Sequence, residues 1–205
     1  VLFGSLNISY GYEKIILCDG DNPNIVAWEN DNASLLLADS NYKQEKNLGK
    51  CNRCYSYNNL IIVMGPSIKD GKFKYNTEYE YVNIFNKDGK YIDALKNCKK
   101  SHSVMRYIVL YDGKNSIVID SYTEEIVGKF NYEIEEVLLD NQNKYYFVAK
   151  DNGKCGIIDK DNQIHLPFIY SSVYKFLSPS QKEDNSSFTF RIRKDKKYGV
   201  CKQDG

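Results

Sequence analysis

The 205-residue chain carries 28 Lys and Arg against 27 Asp and Glu, so its formal net charge is only +1. This even balance argues against nucleic acid or an acidic membrane as the partner. No stretch approaches the roughly 18 continuous apolar residues of a membrane-spanning helix, so no membrane span is predicted.

Apolar residues recur every second residue or in runs of three or four, and few windows keep the 3.6-residue period of a helix. Asp-Gly and Asn-Gly pairs separate many of these runs, and they supply the positive φ angles that tight hairpin turns need. The 18 tyrosines suit a half-buried pleated surface. The sequence therefore predicts an all-β fold, and the two short candidate helices, 42–50 and 95–102, are expected to be loops.

Five hairpins follow one another along the chain. The first lies within 25–39, and the second pairs 60–64 with 81–86 across an insertion. Turns and further strand-like segments follow, so a unit has up to four β-segments within about 40 residues. The last three hairpins align without gaps, each an apolar strand, a polar turn and a second apolar strand: 108–120, 147–159 and 190–202.

Four strands in a repeat of this length predict a β-propeller-like fold, with an open solenoid of stacked hairpins as the alternative. We expect a single repeat domain over residues 1–205. Strands within 1–18, at 6–10 and 14–18, are expected to complete the last unit by pairing near 197–202, which closes a ring. The approximate units are 19–50, 58–100, 105–140, 144–178 and 186–205.

The segment from Lys154 to Tyr170 reads Lys-Cys-Gly-Ile-Ile-Asp-Lys-Asp-Asn-Gln-Ile-His-Leu-Pro-Phe-Ile-Tyr. It resembles the consensus of the bacterial WG-repeat family, in which Trp stands before the Gly. Cys155 occupies that position here, and Tyr198 occupies it in a second copy; the best match covers 144–205. The resemblance implies a β-hairpin repeat that serves as an interaction module and has no known catalytic residues.

Six cysteines are the main candidates for site chemistry. Cys51 and Cys54 have the two-residue gap that lets both sulfur atoms reach one zinc ion, and Cys98 and His102 have a plausible spacing for a second ligand pair. These four residues predict a zinc site with three Cys and one His. Disulfides are one alternative, and thiols packed as small apolar side chains are the other.

No Gly-x-Ser-x-Gly motif, phosphate-binding loop or dinucleotide fingerprint occurs, and there are only two histidines. The chain is therefore predicted not to be an enzyme and to need no cofactor beyond the zinc considered above. We expect a non-catalytic scaffold whose partner is another protein. The alternative is a carbohydrate- or cell-surface-binding module that uses exposed tyrosines, with these candidates: Tyr10, Tyr12, Tyr42, Tyr55 and Tyr57.

Overall fold

The computed structural model describes residues 14–17, 25–29, 32–37, 44–51, 53–65, 68–69, 72–73, 79–140, 142–176 and 188–202. Every regular element in these ranges is a β-strand. Within the same ranges, no helix is long and apolar enough to cross a membrane.

The strands of the first half are β1 (Lys14–Leu17), β2 (Ile25–Glu29), β3 (Asn32–Leu37), β4 (Gln44–Lys50), β5 (Arg53–Tyr57), β6 (Leu60–Met64), β7 (Ile68–Lys69), β8 (Lys72–Phe73), β9 (Tyr79–Asn86) and β10 (Tyr91–Cys98). Those of the second half are β11 (Lys100–Val104), β12 (Tyr107–Tyr111), β13 (Ser116–Asp120), β14 (Ile126–Phe130), β15 (Glu133–Leu139), β16 (Tyr145–Asp151), β17 (Lys154–Asp159), β18 (Ile164–Tyr170), β19 (Ser172–Lys175), β20 (Thr189–Lys194) and β21 (Lys197–Lys202).

Four sheets have four antiparallel strands each, in meander order. Sheet 1 is β1 to β4; sheet 2 is β5, β6, β9 and β10; sheet 3 is β11 to β14; and sheet 4 is β15 to β18. Sheet 5 contains β19 to β21 in the described part of the chain, and β7 pairs with β8 in a small hairpin between β6 and β9. Four-stranded meanders repeated in this way have the strand count and connectivity of propeller blades, so the prediction of an all-β, propeller-like fold is confirmed.

The gap-free alignment of the last three hairpins becomes one shared register. Ile108 pairs with Ile119, Phe147 pairs with Ile158, and Phe190 pairs with Cys201, each at the same aligned position. Because side chains alternate between the two faces of a strand, equal register places aligned residues on equivalent faces. Residues of the hairpins in sheets 3, 4 and 5 can therefore be compared position by position.

Two predictions about the strands are wrong. Residues 42–50 and 95–102 were expected to be loops, but they lie mainly in β4, in the end of β10 and in the start of β11. β4 contains Leu48 as its single large apolar residue, and it is held by pairing with β3 from Asn32 opposite Lys50 to Leu37 opposite Gln44. Backbone pairing of an outer strand needs no apolar pattern, which explains the error.

The strand at 14–18 also differs from its prediction. Lys14–Leu17 pairs with β2, with Lys14 opposite Trp28 and Leu17 opposite Ile25, so it is the outer strand of sheet 1 rather than a strand of the last unit. The other predicted closing strand, 6–10, lies outside the described residues. Ring closure and the single-domain organisation stay predictions.

The chain divides into two compact units. The first comprises Val1–Cys98 with Ser121–Glu124, and the second comprises Lys99–Asp120 with Glu125–Gly205. In the first unit, β4, β5, β6 and β9 contribute to one apolar cluster, with these members: Leu48, Cys51, Cys54, Ile61, Val63 and Phe85.

In the second unit, sheet 4 is packed on both faces. Phe147, Ala149 and Ile158 belong to a cluster shared with sheet 3, in which the Phe130 and Phe147 ring centroids are 4.4 Å apart. Tyr146 and Val148, on the opposite face of the same strand, belong to a cluster shared with sheet 5. Both central strands of sheet 4 are thereby buried, and this gives the unit a rigid interior.

Candidate interaction surface

The four predicted zinc ligands are distributed over both units. Cys51 and Cys54 lie in the apolar cluster of the first unit, and Cys98 is fully buried at the end of β10. His102 lies on β11, where burial lowers the pKa of its ring, partly opposed by a hydrogen bond with the Glu135 backbone. Among the described residues, no three His, Cys, Asp or Glu side chains are grouped so as to hold a metal ion. The zinc site stays a prediction.

Cys155 and Cys201 fit the alternative in which cysteine thiols pack as small apolar side chains. Both are free cysteines: Cys155 is buried in the cluster between sheets 4 and 5, and Cys201 packs against it. The Cys155 Sγ lies 3.6 Å from Glu135 Oε2. Burial first, and then the neighbouring carboxylate, raise the pKa of Cys155 to about 11. At neutral pH this thiol is protonated, which suits a packing role and not a nucleophile.

A recurring five-residue turn follows several strands. At Asp159 the carboxylate Oδ1 accepts hydrogen bonds from the amides of Asp161 and Gln163, and the Asn162 amide donates to the Asp159 carbonyl. The turn closes at Asn162, whose φ of 62° is in the left-handed region that Gly and Asn tolerate best. The same bonds recur at Asn86 and Asp140.

A second contact anchors the turn in sheet 4. The Nε2 of His165 is 2.9 Å from Asp159 Oδ2, and both side chains are largely buried. Burial alone raises the pKa of Asp159, but hydrogen bonds from His165 and from the Gln163 and Asp161 amides outweigh it and leave the pKa below its usual value. The carboxylate is therefore held ionised, and it fixes the entry into β18. In sheet 3, Arg106 Nη2 lies 2.6 Å from Asp120 Oδ2 at the equivalent turn.

Apolar side chains are exposed directly after the turns that follow the central strands β9, β13 and β17. Ile126 begins β14 and is 37% exposed, and Ile164 begins β18 and is 52% exposed. We call Ile126 and Ile164 the rim pair, because they occupy the same position in sheets 3 and 4. In the first unit, Tyr91 begins β10 in the same way and is 54% exposed. Single exposed apolar residues are common on protein surfaces, so what distinguishes these is their repetition at one position of successive sheets.

The outer face of sheet 5 is the second exposed surface, defined by residues that alternate away from sheet 4. In one cross-strand row Tyr174 is opposite Arg191, which is opposite Val200. In the next row Ser172 is opposite Arg193, which is opposite Tyr198. Tyr174, Tyr198 and Val200 are 62%, 59% and 61% exposed.

Two guanidinium groups lie over one ring of this face. The Arg191 Cζ is 4.6 Å from the centroid of the Tyr198 ring, and the Arg193 Cζ is 5.4 Å from it. The described part of sheet 5, 172–176 with 188–202, contains seven Lys and Arg and one acidic residue, Asp195. This sheet is strongly basic although the whole chain is nearly neutral.

Tyrosine positions only partly match the predicted carbohydrate surface. Tyr55 and Tyr57 are half-buried in β5, and Tyr10, Tyr12 and Tyr42 lie outside the described residues. The rim pair and the outer face of sheet 5 were not predicted. The signal that could have found the outer face is the gap-free alignment, which places Arg191 at the position of the apolar Val148.

No family model matches the chain, and no curated protein is significantly similar to it in sequence. Membership of the WG-repeat family therefore stays a prediction.

Solved structures with similar folds share little sequence with the chain. A fragment of HIRA is 11% identical over 75% of this chain and 52% of its own, with a TM-score of 0.40. A eukaryotic initiation factor is 11% identical over 93% of this chain and 55% of its own, with a TM-score of 0.41. BamB from Moraxella catarrhalis is 8% identical over 95% of this chain and 59% of its own, with a TM-score of 0.33.

HIRA and BamB are β-propeller proteins. The chain spans between 52% and 59% of the length of the three structures. Similarity at these identities and TM-scores carries nothing about function, and the fold class rests on the chain's own four-stranded sheets.

Proposed function

We propose that the chain is a non-catalytic repeat module that serves as a protein–protein interaction scaffold. The observation that supports this most directly is the rim pair. Ile126 and Ile164 stand at equivalent positions in neighbouring sheets, both exposed, and each follows a turn anchored by a buried Asp. Repeat proteins build binding surfaces by presenting one position of successive units, and the WG-repeat resemblance is part of this proposal.

Rigid support makes the rim pair suitable for binding. The turn before Ile164 is held by Asp159 with its backbone bonds and by His165, and sheet 4 beneath it is packed on both faces. A surface that is already ordered loses little conformational entropy when a partner docks. A partner can then bury the exposed part of each isoleucine, 37% of Ile126 and 52% of Ile164, with little entropy cost to offset the gain.

The test is affinity capture with the immobilised chain from a native lysate, followed by binding measurements with the purified partner. We expect the double variant Ile126→Ser with Ile164→Ser to bind that partner about tenfold more weakly, because about 1–2 kcal/mol of apolar burial is lost. The matched control is Ile169→Ser, since Ile169 is 40% exposed on β18 but lies away from the turn. Capture of nothing above bare beads, or equal losses in the control, contradicts the proposal.

Carbohydrate or cell-surface binding remains the second candidate. The observation in its favour is that Tyr174 and Tyr198 are exposed on the same face of sheet 5. A glycan array decides it: signals that disappear in Tyr174→Ala are expected for sugar stacking on this ring, and an array without signal removes the candidate.

A further inference from the structure

We propose that the outer face of sheet 5 docks an acidic segment of a partner protein. The inference rests on the interaction role proposed above and names a surface and a partner chemistry for it. Its first support is charge: Arg191, Arg193 and Lys202 alternate onto this face, and none of its paired positions in the described residues is acidic. A patch of one sign on a nearly neutral protein steers and holds a partner of the opposite sign.

The second support is the equivalence with sheet 4. Val148 and Ile157 lie on the face of sheet 4 that packs against sheet 5. The aligned positions on the outer face of sheet 5 are Arg191 and Val200. Another sheet of the same kind would bury Arg191 against apolar side chains, at a large desolvation cost. The residues of this face therefore suit a partner that brings carboxylates.

The third support is the arrangement of the two arginines. Their guanidinium groups lie over the Tyr198 ring at 4.6 Å and 5.4 Å, a contact that restrains otherwise flexible side chains. A guanidinium stacked on a ring keeps the N–H groups at its edges for hydrogen bonds, and a carboxylate accepts two of them side by side. Tyr174 and Val200, in the adjacent row, provide exposed apolar contacts for the same segment.

Protein is favoured over nucleic acid by the same geometry. Single-stranded nucleic acid binds by stacking bases on exposed aromatic rings. The Tyr198 ring already carries two guanidinium groups, so Tyr174 is the one other aromatic ring in the two central rows of this face. A single available ring favours a peptide, whose carboxylates need the arginines and not a series of rings.

The test uses a fluorescein-labelled 14-residue peptide with Glu or Asp at every second position and Val or Tyr between them. Fluorescence anisotropy with the full chain compares it with a peptide carrying Gln and Asn instead. We expect the acidic peptide to bind at least about tenfold more tightly, and this preference to shrink as salt is raised.

Variants locate the site. Arg191→Gln with Arg193→Gln is expected to weaken binding of the acidic peptide about tenfold. The control, Lys114→Gln with Lys160→Gln, removes the same charge from exposed positions of the same unit and is expected to change binding less than about twofold. Circular dichroism and thermal unfolding establish that both double variants are folded, which the exposure of all four side chains leads us to expect.

Four results overturn the inference. In the first two, the neutral peptide binds as tightly as the acidic one, or the Lys114 and Lys160 control loses as much binding as the arginine variant. In the third, a 14-nucleotide poly-dT strand binds more tightly than the acidic peptide. In the fourth, sedimentation shows a dimer that the arginine variant abolishes. The last two identify nucleic acid or a second copy of the chain as the occupant. If the arginine variant binds the acidic peptide as well as the unmodified chain does, while the partner still depends on Ile126 and Ile164, the scaffold proposal stands and this inference falls.

Discussion

The hairpins β16–β17 and β20–β21 share register, loop length and backbone conformation, but they differ in what covers them. Each loop has two residues between the last paired positions, Asp151 with Lys154 and Lys194 with Lys197. β17 is buried on both faces after its first residue, whereas β21 is exposed at every position but one. The difference shows that two properties are encoded separately. The turn and the strand pattern set which residues pair across the hairpin, whereas the side chains on each sheet face determine what can pack against that face.

The largest effect is expected from exchanging residues between equivalent positions. Val148→Arg inserts the residue of position 191 into a packed interior, where the long side chain is overpacked and its charge is desolvated, and is expected to cost about 4 kcal/mol or more. The reverse change, Arg191→Val, is expected to stay within about 1 kcal/mol, since it removes only an exposed contact with Tyr198. Urea unfolding measures both. Similar destabilisation by the two changes would contradict the equivalence.

The aligned glycines Gly156 and Gly199 give a second test, with an expected change in stability of intermediate size. A Cβ at Gly156 would lie 2.6 Å from the Leu166 backbone oxygen and 3.1 Å from the Phe168 ring, whereas one at the aligned Gly199 would lie 3.5 Å from the Ile192 side chain. Gly156→Ala is therefore expected to cost about 2–3 kcal/mol through overpacking. Gly199→Ala is expected to be neutral or to stabilise by up to about 1 kcal/mol, because it restricts the unfolded chain.

Thermal unfolding of both glycine variants checks this, with circular dichroism as the readout. The exposed position is the matched control for the buried one. A Gly156→Ala protein as stable as the unmodified chain would show that the close packing between β17 and β18 does not hold in solution.

The smallest expected effect is the pH dependence of the stability that Asp159 contributes in sheet 4. Asp159 is held by His165 and two amides, and Lys202 occupies the aligned position in sheet 5. Because the pKa of Asp159 is lowered on folding, its contribution is complete above the unfolded value of about 3.9 and is lost as pH falls through the lower, folded value.

The comparison variant is Asp159→Asn. We expect the difference in unfolding free energy between the unmodified chain and this variant to shrink as pH falls below about 4. Denaturant unfolding at pH 7 and at several acidic values measures it. A difference that does not change with pH would contradict the role of the ionised carboxylate.

Pattern and turn chemistry predicted the central hairpins because they are locally encoded. The aligned segments around Phe147 and Phe190 alternate and turn in the same way, and their register followed directly. β4 could not be predicted, since its polar sequence is held by backbone pairing with β3. The neighbours of His102 could not be predicted either, because its spacing from Cys98 does not indicate which strand packs beside it. In the structure His102 lies near Glu133 and Glu135.

The surface was harder still to read from sequence. Ile126 and Ile164 look like ordinary strand residues in the sequence, but both are exposed as the first strand residue after a turn. The exposed face at Arg191 could be predicted only by comparing Arg191 with Val148, the buried residue at the aligned position. The direction in which a side chain points depends on register and on the neighbouring sheet, and the second of these is not local information.

The connection between β6 and β9 has a consequence for how the chain can be altered. Residues 65–78 connect β6 and β9, which are paired from Leu60 opposite Asn86 to Met64 opposite Val82. The small β7–β8 hairpin lies within this connection. Lengthening a two-residue loop to this size costs only about 2 kcal/mol of chain-closure entropy. A meander joined by such connections can therefore accept foreign segments between central strands, which makes this position the natural place to graft a peptide tag or a second domain.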